Sequence, residues 1–141
     1  MTTARVPRYT REDHFFAQLN LRDVDVEGSD LSIELPTADN LTNSRGSLQG
    51  GLIATLADIV AGRLALRGLP DESSVATSDL TIHYLTPIRV GPARADGHVV
   101  RRGSRSVVVR VDVFDVATDK LAAVATLSFA VMSPLTKPTS T

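Results

Sequence analysis

Residues 43–67 decide the fold, and they run NSRGSLQGGLIATLADIVAGRLALR. The stretch begins as a polar, glycine-bearing loop and continues into the longest apolar segment of the chain, residues 48–66. We interpret that segment as a long helix, which Gly68 and Pro70 end. Few positions on any side of it are polar, and a helix that is apolar nearly all round must be buried by the rest of the chain.

A short helix and six strands are predicted around the long helix. Thr10 resembles an N-cap and predicts a short amphipathic helix through Phe15 and Leu19. The predicted strands are residues 21–26, 31–35, 75–85, 93–101, 106–116 and 121–132. Strands joined by short turns pair antiparallel, so we predict an α+β fold in which one six-stranded antiparallel sheet wraps around the central helix. Residues 1–133 would form this single domain, with a disordered Pro/Ser/Thr-rich tail at 134–141.

The composition excludes several classes of function. A net charge of −1 provides no electrostatic case for binding nucleic acid or a membrane. The absence of cysteine removes disulfides, thiol nucleophiles and zinc–thiolate sites, and the three scattered histidines lack metal-ligand spacing. No apolar run approaches the ~20 residues of a membrane span, and no secretory signal is visible, so we expect a cytoplasmic protein.

Asp58 is the unusual residue of the long helix, because no charged residue is closer to it than Arg63. A carboxylate among apolar residues is costly unless something pairs or uses it. Spacings of four, three and four residues place Gly51, Thr55, Asp58 and Gly62 on one stripe of small residues, which another backbone or a ligand can approach closely. The alternative is a helix–helix contact in which the acid is hydrogen-bonded to a neighbour.

Gly50 and Gly51 lie where the helix begins, and unpaired amides there favour negative charge. Such an amide can stabilise an oxyanion, and one donor is typically worth roughly 10²–10³ in rate. Alternatively, the glycines only allow the chain to turn tightly where the loop enters the helix. Gly50 and Asp58 are separated by about 12 Å along one helix, too far for one carbonyl to contact both. If the two residues cooperate in catalysis, they belong to different subunits of a two-fold dimer.

Several motifs then occur in order along the chain: Asn43-x-x-Gly46-x-Leu48-Gln49-Gly50-Gly51, Leu56-Ala57-Asp58, Asp79-Leu80-Thr81-Ile82-His83-Tyr84-Leu85-Thr86-Pro87, and Gly103 with Arg105-Ser106. Together they resemble the hotdog-fold acyl-CoA thioesterases of the phenylacetate-degradation (PaaI-like) type. The resemblance covers roughly residues 20–132. It implies the hotdog fold for the predicted sheet and helix.

The resemblance also implies roles for individual residues. Asp58 corresponds to the catalytic carboxylate, acting as general base on water or as nucleophile, and Gly50 to the amide that polarises the thioester carbonyl across the dimer. Asn43 corresponds to a polar loop residue that positions the thioester or the water. Thr77 corresponds to a hydroxyl that orients the water, a role that the adjacent Ser78 can also fill.

Substrate contacts are expected from Gln49, Gly51 and Ser78 around these groups. Gln49 departs from the family pattern, which usually has histidine there. Glutamine still donates and accepts hydrogen bonds, but it carries no positive charge near neutral pH.

Arg101, Arg102 and Arg105 surround Gly103 at a predicted hairpin. Arginine suits phosphate oxygens, and the resemblance implies that the turn binds the phosphates of coenzyme A. Alternatively, the cluster is a solubilising turn.

The sequence therefore predicts an acyl-CoA thioesterase that needs neither metal nor cofactor and assembles as a homodimer, which pairs further into a dimer of dimers. One alternative is a hotdog protein that binds or senses acyl-CoA without cleaving it. Another is a hydratase acting on enoyl thioesters, but hydratases generally use an Asp–His pair, and the loop before this helix lacks histidine.

Overall fold

A computed structural model of the chain describes residues 14–132. The predicted N-cap at Thr10 and the predicted tail at 134–141 lie outside these residues. The assignment of residues 1–133 to one domain stays a prediction.

Six strands form one antiparallel sheet, as predicted. Their order across the sheet is β1-β2-β4-β5-β6-β3. The boundaries fall within about two residues of those expected at every strand end. The strands are β1 (Arg22–Val24), β2 (Leu31–Leu35), β3 (Ser74–Tyr84), β4 (Ala93–Arg102), β5 (Ser106–Asp115) and β6 (Lys120–Met132).

One long helix, α1 (Gly50–Leu66), packs against the sheet and contacts strands β2 to β6. The short N-terminal helix is present as a 3-10 segment, Phe15–Leu19, and His14 Nδ1 accepts a hydrogen bond from the Phe16 amide at its start. A second 3-10 segment, Asp39–Leu41, was not anticipated from the sequence.

The core lies between α1 and the sheet. Valines alternate along β5, and those that face the helix are completely buried: Val107, Val109, Val111 and Val113. Gly97 of β4 lets the helix come close, because a Cβ atom there would lie 2.6 Å from both Val60 Cγ1 and Leu64 Cδ1. The close approach of helix and sheet at this point therefore requires glycine at position 97.

The helix is not covered on every side, so the expectation of complete burial is wrong for a single chain. Gly51 is exposed, and Thr55, Asp58 and Gly62 are partly exposed. The stripe of small residues that carries the acid thus lies at the surface of one protomer. Within residues 14–132, no helix has the length and hydropathy needed to cross a membrane.

Candidate active site

Asp58 is held by a hydroxyl group from the neighbouring edge strand. Thr77 Oγ1 of β3 donates a hydrogen bond to Asp58 Oδ1 at 2.8 Å. The other carboxylate oxygen, Oδ2, has no recorded partner among residues 14–132. One oxygen is therefore oriented by the protein while the second is available to a water molecule or a substrate.

A β-bulge in β3 decides which hydroxyl reaches the acid. The register of β3 against β6 shifts between Thr77 and Asp79, so Ser78 is the extra residue. Ser78 Oγ contacts the Ser128 carbonyl oxygen at 3.1 Å instead of Asp58. Of the two hydroxyls considered from the sequence, Thr77 is the one placed beside the carboxylate.

The start of α1 presents free amide donors. The Gln49 carbonyl accepts hydrogen bonds from the amides of Leu52 (3.0 Å) and Ile53 (3.2 Å), which closes the first turn. The amides of Gly50 and Gly51 have no recorded acceptor in the described part of the chain. A Cβ atom on Gly51 would meet nothing within 4 Å, so the protomer itself imposes no steric need for glycine at this position.

The loop before the helix is organised by Asn43. Its Oδ1 accepts hydrogen bonds from the Arg45 amide (2.9 Å), the Ser47 amide (3.2 Å) and Ser47 Oγ (3.2 Å). Gly46 adopts a positive φ of 75°, which favours glycine at this turn. Asn43 therefore builds the loop through its oxygen, and its side-chain NH₂ group has no recorded partner among residues 14–132.

Gln49 lies at the N-cap position with an exposed side chain. Within residues 14–132, its only recorded side-chain hydrogen bond is a long one, from Nε2 to the Thr42 carbonyl oxygen at 3.4 Å. The Gln49 amide donates to the Leu41 carbonyl (3.0 Å), and the Leu48 amide donates to the Ile88 carbonyl (2.8 Å). The backbone is therefore fixed on both sides while the Gln49 side chain faces outward.

Tyr84 is a residue of this region to which sequence reasoning gave no role. Its hydroxyl donates to the Gly50 carbonyl oxygen at 2.6 Å, and its ring atoms would lie 3.3–3.4 Å from a Cβ atom on Gly50. Partial burial raises the pKa of the Tyr84 hydroxyl above its usual value. The sequence held a signal for this position of Tyr84. Leu80, Ile82 and Tyr84 alternate along the motif at residues 79–87, and this alternation places all three side chains on the face of β3 that is towards the helix.

The three arginines of the β4–β5 turn divide into two groups. Arg102 donates to the carbonyl oxygens of Leu64 (2.8 Å) and Ala65 (3.0 Å), and so caps the C-terminal end of α1. Arg101 and Arg105 are exposed and have no recorded side-chain partner among residues 14–132. The structure therefore leaves two of the three guanidinium groups available to an anion.

One protomer does not bring all the predicted site residues together. Thr77 joins Asp58 near the middle of α1, whereas Asn43, Gln49 and Gly51 cluster with Gly50 at its start. Gly50 and Asp58 belong to the same helix, about 12 Å apart along its axis. A thioester carbonyl spans far less than this distance, so the two half-sites of one chain cannot act on one carbonyl.

Comparisons with known proteins identify relatives of this chain. A family model described as the thioesterase superfamily matches residues 45–122. A putative esterase of Saccharolobus solfataricus is 32% identical over 82% of this chain and 81% of its own length. Human acyl-coenzyme A thioesterase 13 is 34% identical over 64% of each chain. A Bacillus halodurans protein, whose crystal structure contains CoA, is 34% identical with a TM-score of 0.67, over 72% of this chain and 66% of that one.

Proposed function

Since the chain belongs to the thioesterase superfamily, has the hotdog fold and is a thioester hydrolase, we propose that it cleaves an acyl- or aryl-CoA thioester to the free acid and coenzyme A. The observation that carries this proposal is the 2.8 Å hydrogen bond from Thr77 to Asp58. It presents an oriented carboxylate at the protein surface rather than in the core. The quoted motifs further favour the PaaI-like type within the superfamily.

Asp58 is the proposed catalytic carboxylate. As a general base, its Oδ2 takes a proton from water while the water oxygen attacks the thioester carbon; the C–S bond then breaks and the leaving thiolate takes up that proton. As a nucleophile, the same oxygen attacks that carbon and the thiolate leaves, and water then cleaves the resulting mixed anhydride to the free acid and the carboxylate. In both routes negative charge develops on the thioester oxygen, and the free Gly50 amide of the partner subunit is the proposed donor that stabilises it.

A dimer that pairs through β3 fits these requirements. β3 is an edge strand of eleven residues, about 36 Å long, with no proline or lysine to discourage pairing. Thr77, the partner of Asp58, belongs to this strand. A two-fold axis at the β3 edge would align two α1 helices antiparallel and give two equivalent sites. Further pairing of dimers into a tetramer stays a prediction.

Coenzyme A as the leaving group is supported by two relatives. The human relative is named an acyl-coenzyme A thioesterase, and the Bacillus halodurans relative was solved with CoA. In the β4–β5 turn, Arg101 and Arg105 have no recorded side-chain partner among residues 14–132, and we propose that they bind the CoA phosphates. Gln49 and the Asn43 amide group are proposed to contact the thioester region from the loop before α1.

A substrate panel tests the proposal directly. Acetyl-, hexanoyl-, lauroyl-, benzoyl- and phenylacetyl-CoA are incubated with the protein, and thiol release is measured. We expect turnover of at least one member, and loss of that turnover in Asp58→Asn and Asp58→Ala. Undiminished hydrolysis in both variants would contradict the role of Asp58. Binding of CoA thioesters without thiol release would favour the non-catalytic alternative.

Mixed dimers test the arrangement of the site. Gly50→Pro removes the amide donor at the first residue of α1, where the backbone suits proline and the new Cβ atom displaces the Tyr84 ring slightly, and it should lower kcat by at least roughly 10²-fold. When Gly50→Pro and Asp58→Asn chains are unfolded together and refolded as a one-to-one mixture, each heterodimer regains one intact site. About a quarter of wild-type activity should therefore return, since half of the dimers are mixed and half of their sites are intact. Activity that stays at the level of the separate variants would overturn a site built from Gly50 of one subunit and Asp58 of the other.

A further inference from the structure

Tyr84 makes a contact that the proposed reaction does not yet use. It is the last residue of β3, it is 51% exposed, and its hydroxyl donates to the Gly50 carbonyl at 2.6 Å. The bond joins the end of the edge strand to the first residue of the helix. The ring also lies against Gly50, where a side chain would meet it at 3.3 Å.

Two consecutive peptide groups at the start of α1 then have the same arrangement. In the Gln49–Gly50 peptide, the carbonyl accepts from the Leu52 and Ile53 amides, and the Gly50 N–H is free. In the Gly50–Gly51 peptide, the carbonyl accepts from Tyr84 in addition to its helical partner, the Ala54 amide, and the Gly51 N–H has no recorded acceptor among residues 14–132. Because carbonyl and N–H point in opposite directions in a trans peptide, holding the carbonyl fixes the direction of the N–H.

We propose that Tyr84 is a positioning residue for thioester hydrolysis, which holds and polarises the Gly50–Gly51 peptide so that the Gly51 N–H joins the Gly50 N–H as a second oxyanion donor. The inference rests on the proposed function, because it needs an oxyanion at the start of α1. A hydrogen bond to the carbonyl of a peptide group strengthens the donor at the other end of that group.

Two further observations support this role. Gly51 is exposed and sterically unconstrained by its own chain, so an absent side chain there keeps the N–H open to a ligand or a partner subunit. Burial raises the pKa of the Tyr84 hydroxyl, which therefore remains a protonated donor throughout the neutral and moderately alkaline range. The hydrogen bond should persist across the pH range in which a thioesterase is assayed.

Kinetics of Tyr84→Phe provide the first test, because this variant keeps the ring and removes only the hydroxyl. We expect kcat to fall roughly tenfold, less than the loss of a whole donor, with KM unchanged within about twofold. Thr126→Val is the matched control: it removes an exposed hydroxyl from the neighbouring strand β6, away from the edge that pairs, and its kcat should equal that of the wild type. Thermal denaturation of both variants establishes that they are folded.

Infrared spectroscopy provides a readout that a purely structural role would not move. The most rapidly cleaved member of the substrate panel, labelled with ¹³C at its thioester carbonyl, is bound to Asp58→Asn protein. Its carbonyl band should lie at lower wavenumber than in solution, because oxyanion donors polarise the bond. In the Asp58→Asn/Tyr84→Phe double variant the band should shift back towards the solution value, and in Asp58→Asn/Thr126→Val it should not.

The outcomes separate the two proposals. If the wild type is active and Asp58→Asn is not, but Tyr84→Phe retains full kcat, the role of Tyr84 is overturned and the proposed function stands. A lower kcat without a shift of the carbonyl band also overturns it, because Tyr84 would then act only on the fold. A wild-type protein that releases no thiol from any panel member overturns both.

Discussion

Thr77 and Ser78 show how the role of a single residue depends on backbone geometry. Both are hydroxyl residues at adjacent positions of one strand, and their side chains lie on opposite faces of the sheet. Thr77 donates to Asp58, whereas Ser78 contacts Ser128. Asp58 is thus neither an unpaired buried charge nor a helix–helix contact within one chain. It is a surface carboxylate with one oriented oxygen.

Thr77→Val should reduce catalysis while leaving the fold intact. Removing a hydrogen bond to a charged group costs about 1.5–3 kcal/mol, so kcat should fall roughly ten- to hundredfold if the bond orients the carboxylate in the transition state. Steady-state kinetics on the best substrate of the panel measure this loss. Thr77→Ser keeps a hydroxyl and should restore most of the activity. Equal activity of Thr77→Val and the wild type would mean that Asp58 needs no orientation from β3.

The two ends of the helix α1 make different interactions. The amides of Gly50 and Gly51 have no recorded acceptor among residues 14–132, and free amides at a helix start suit a developing negative charge. The last carbonyls are occupied, since Arg102 donates to Leu64 and Ala65. The basic turn therefore combines one arginine that stabilises the helix with two that are free to bind an anion. The sequence alone did not distinguish the three arginines.

Arg102→Met and Arg105→Met should separate these roles. Arg102→Met removes two hydrogen bonds and a positive charge from the helix C-terminus. The free energy of unfolding, measured by chemical denaturation, should therefore fall by about 1 kcal/mol. Arg105→Met should leave stability unchanged and raise KM for the CoA substrate several-fold, with an effect that weakens at high salt. A large KM effect from Arg102→Met at unchanged stability would instead assign Arg102 to the phosphates.

At the scale of the whole molecule, the two edges of the sheet differ. β1 is three residues long, and its Asp23 forms a bidentate ion pair with Arg63 of α1 at 2.8 Å, which lowers the pKa of Asp23. β3, at the other edge, is eleven residues long and exposes Leu80 and Tyr84. A long, open edge with apolar side chains is a surface that natural proteins usually protect. The asymmetry favours β3 as the edge that pairs.

Single cysteines test this pairing, and the natural chain has none to interfere. Cysteines are introduced one at a time at Ala76, Asp79 and Thr81 of β3, and at Asp25, just beyond β1, as the control. In an antiparallel pair across a two-fold axis, the residue nearest the axis faces its own copy with Cβ atoms ~4.5–5.5 Å apart, so its disulfide forms with little movement. We expect a disulfide-linked dimer on non-reducing gels from at least one β3 position and none from Asp25. Cross-linking only at Asp25 would place the interface at the other edge.

The sequence by itself determined the order of elements and most of their boundaries, and it singled out the residue at the centre of the proposed site. Hydrophobic periodicity is a local property, and it predicted the helix, the six strands and the unusual position of Asp58. The motif around Gly50 and Asp58 indicated a thioesterase, and the family match agrees with it. The spacing of these two residues on one helix also predicted that a complete site needs a second chain, a prediction that the mixed-dimer experiment tests.

Only the tertiary structure decided which side chains meet. The bulge that turns Thr77 towards Asp58, the hydrogen bond from Tyr84 to Gly50 and the capping of α1 by Arg102 all join residues at least 19 positions apart. Likewise, the structural role of Gly97 became clear only from the helix that packs against it. The physical reason is that such contacts depend on how strands register and how closely helix and sheet approach. The register and the distance of approach are each set by many residues that are far apart in the sequence, so no local pattern in the chain predicts them.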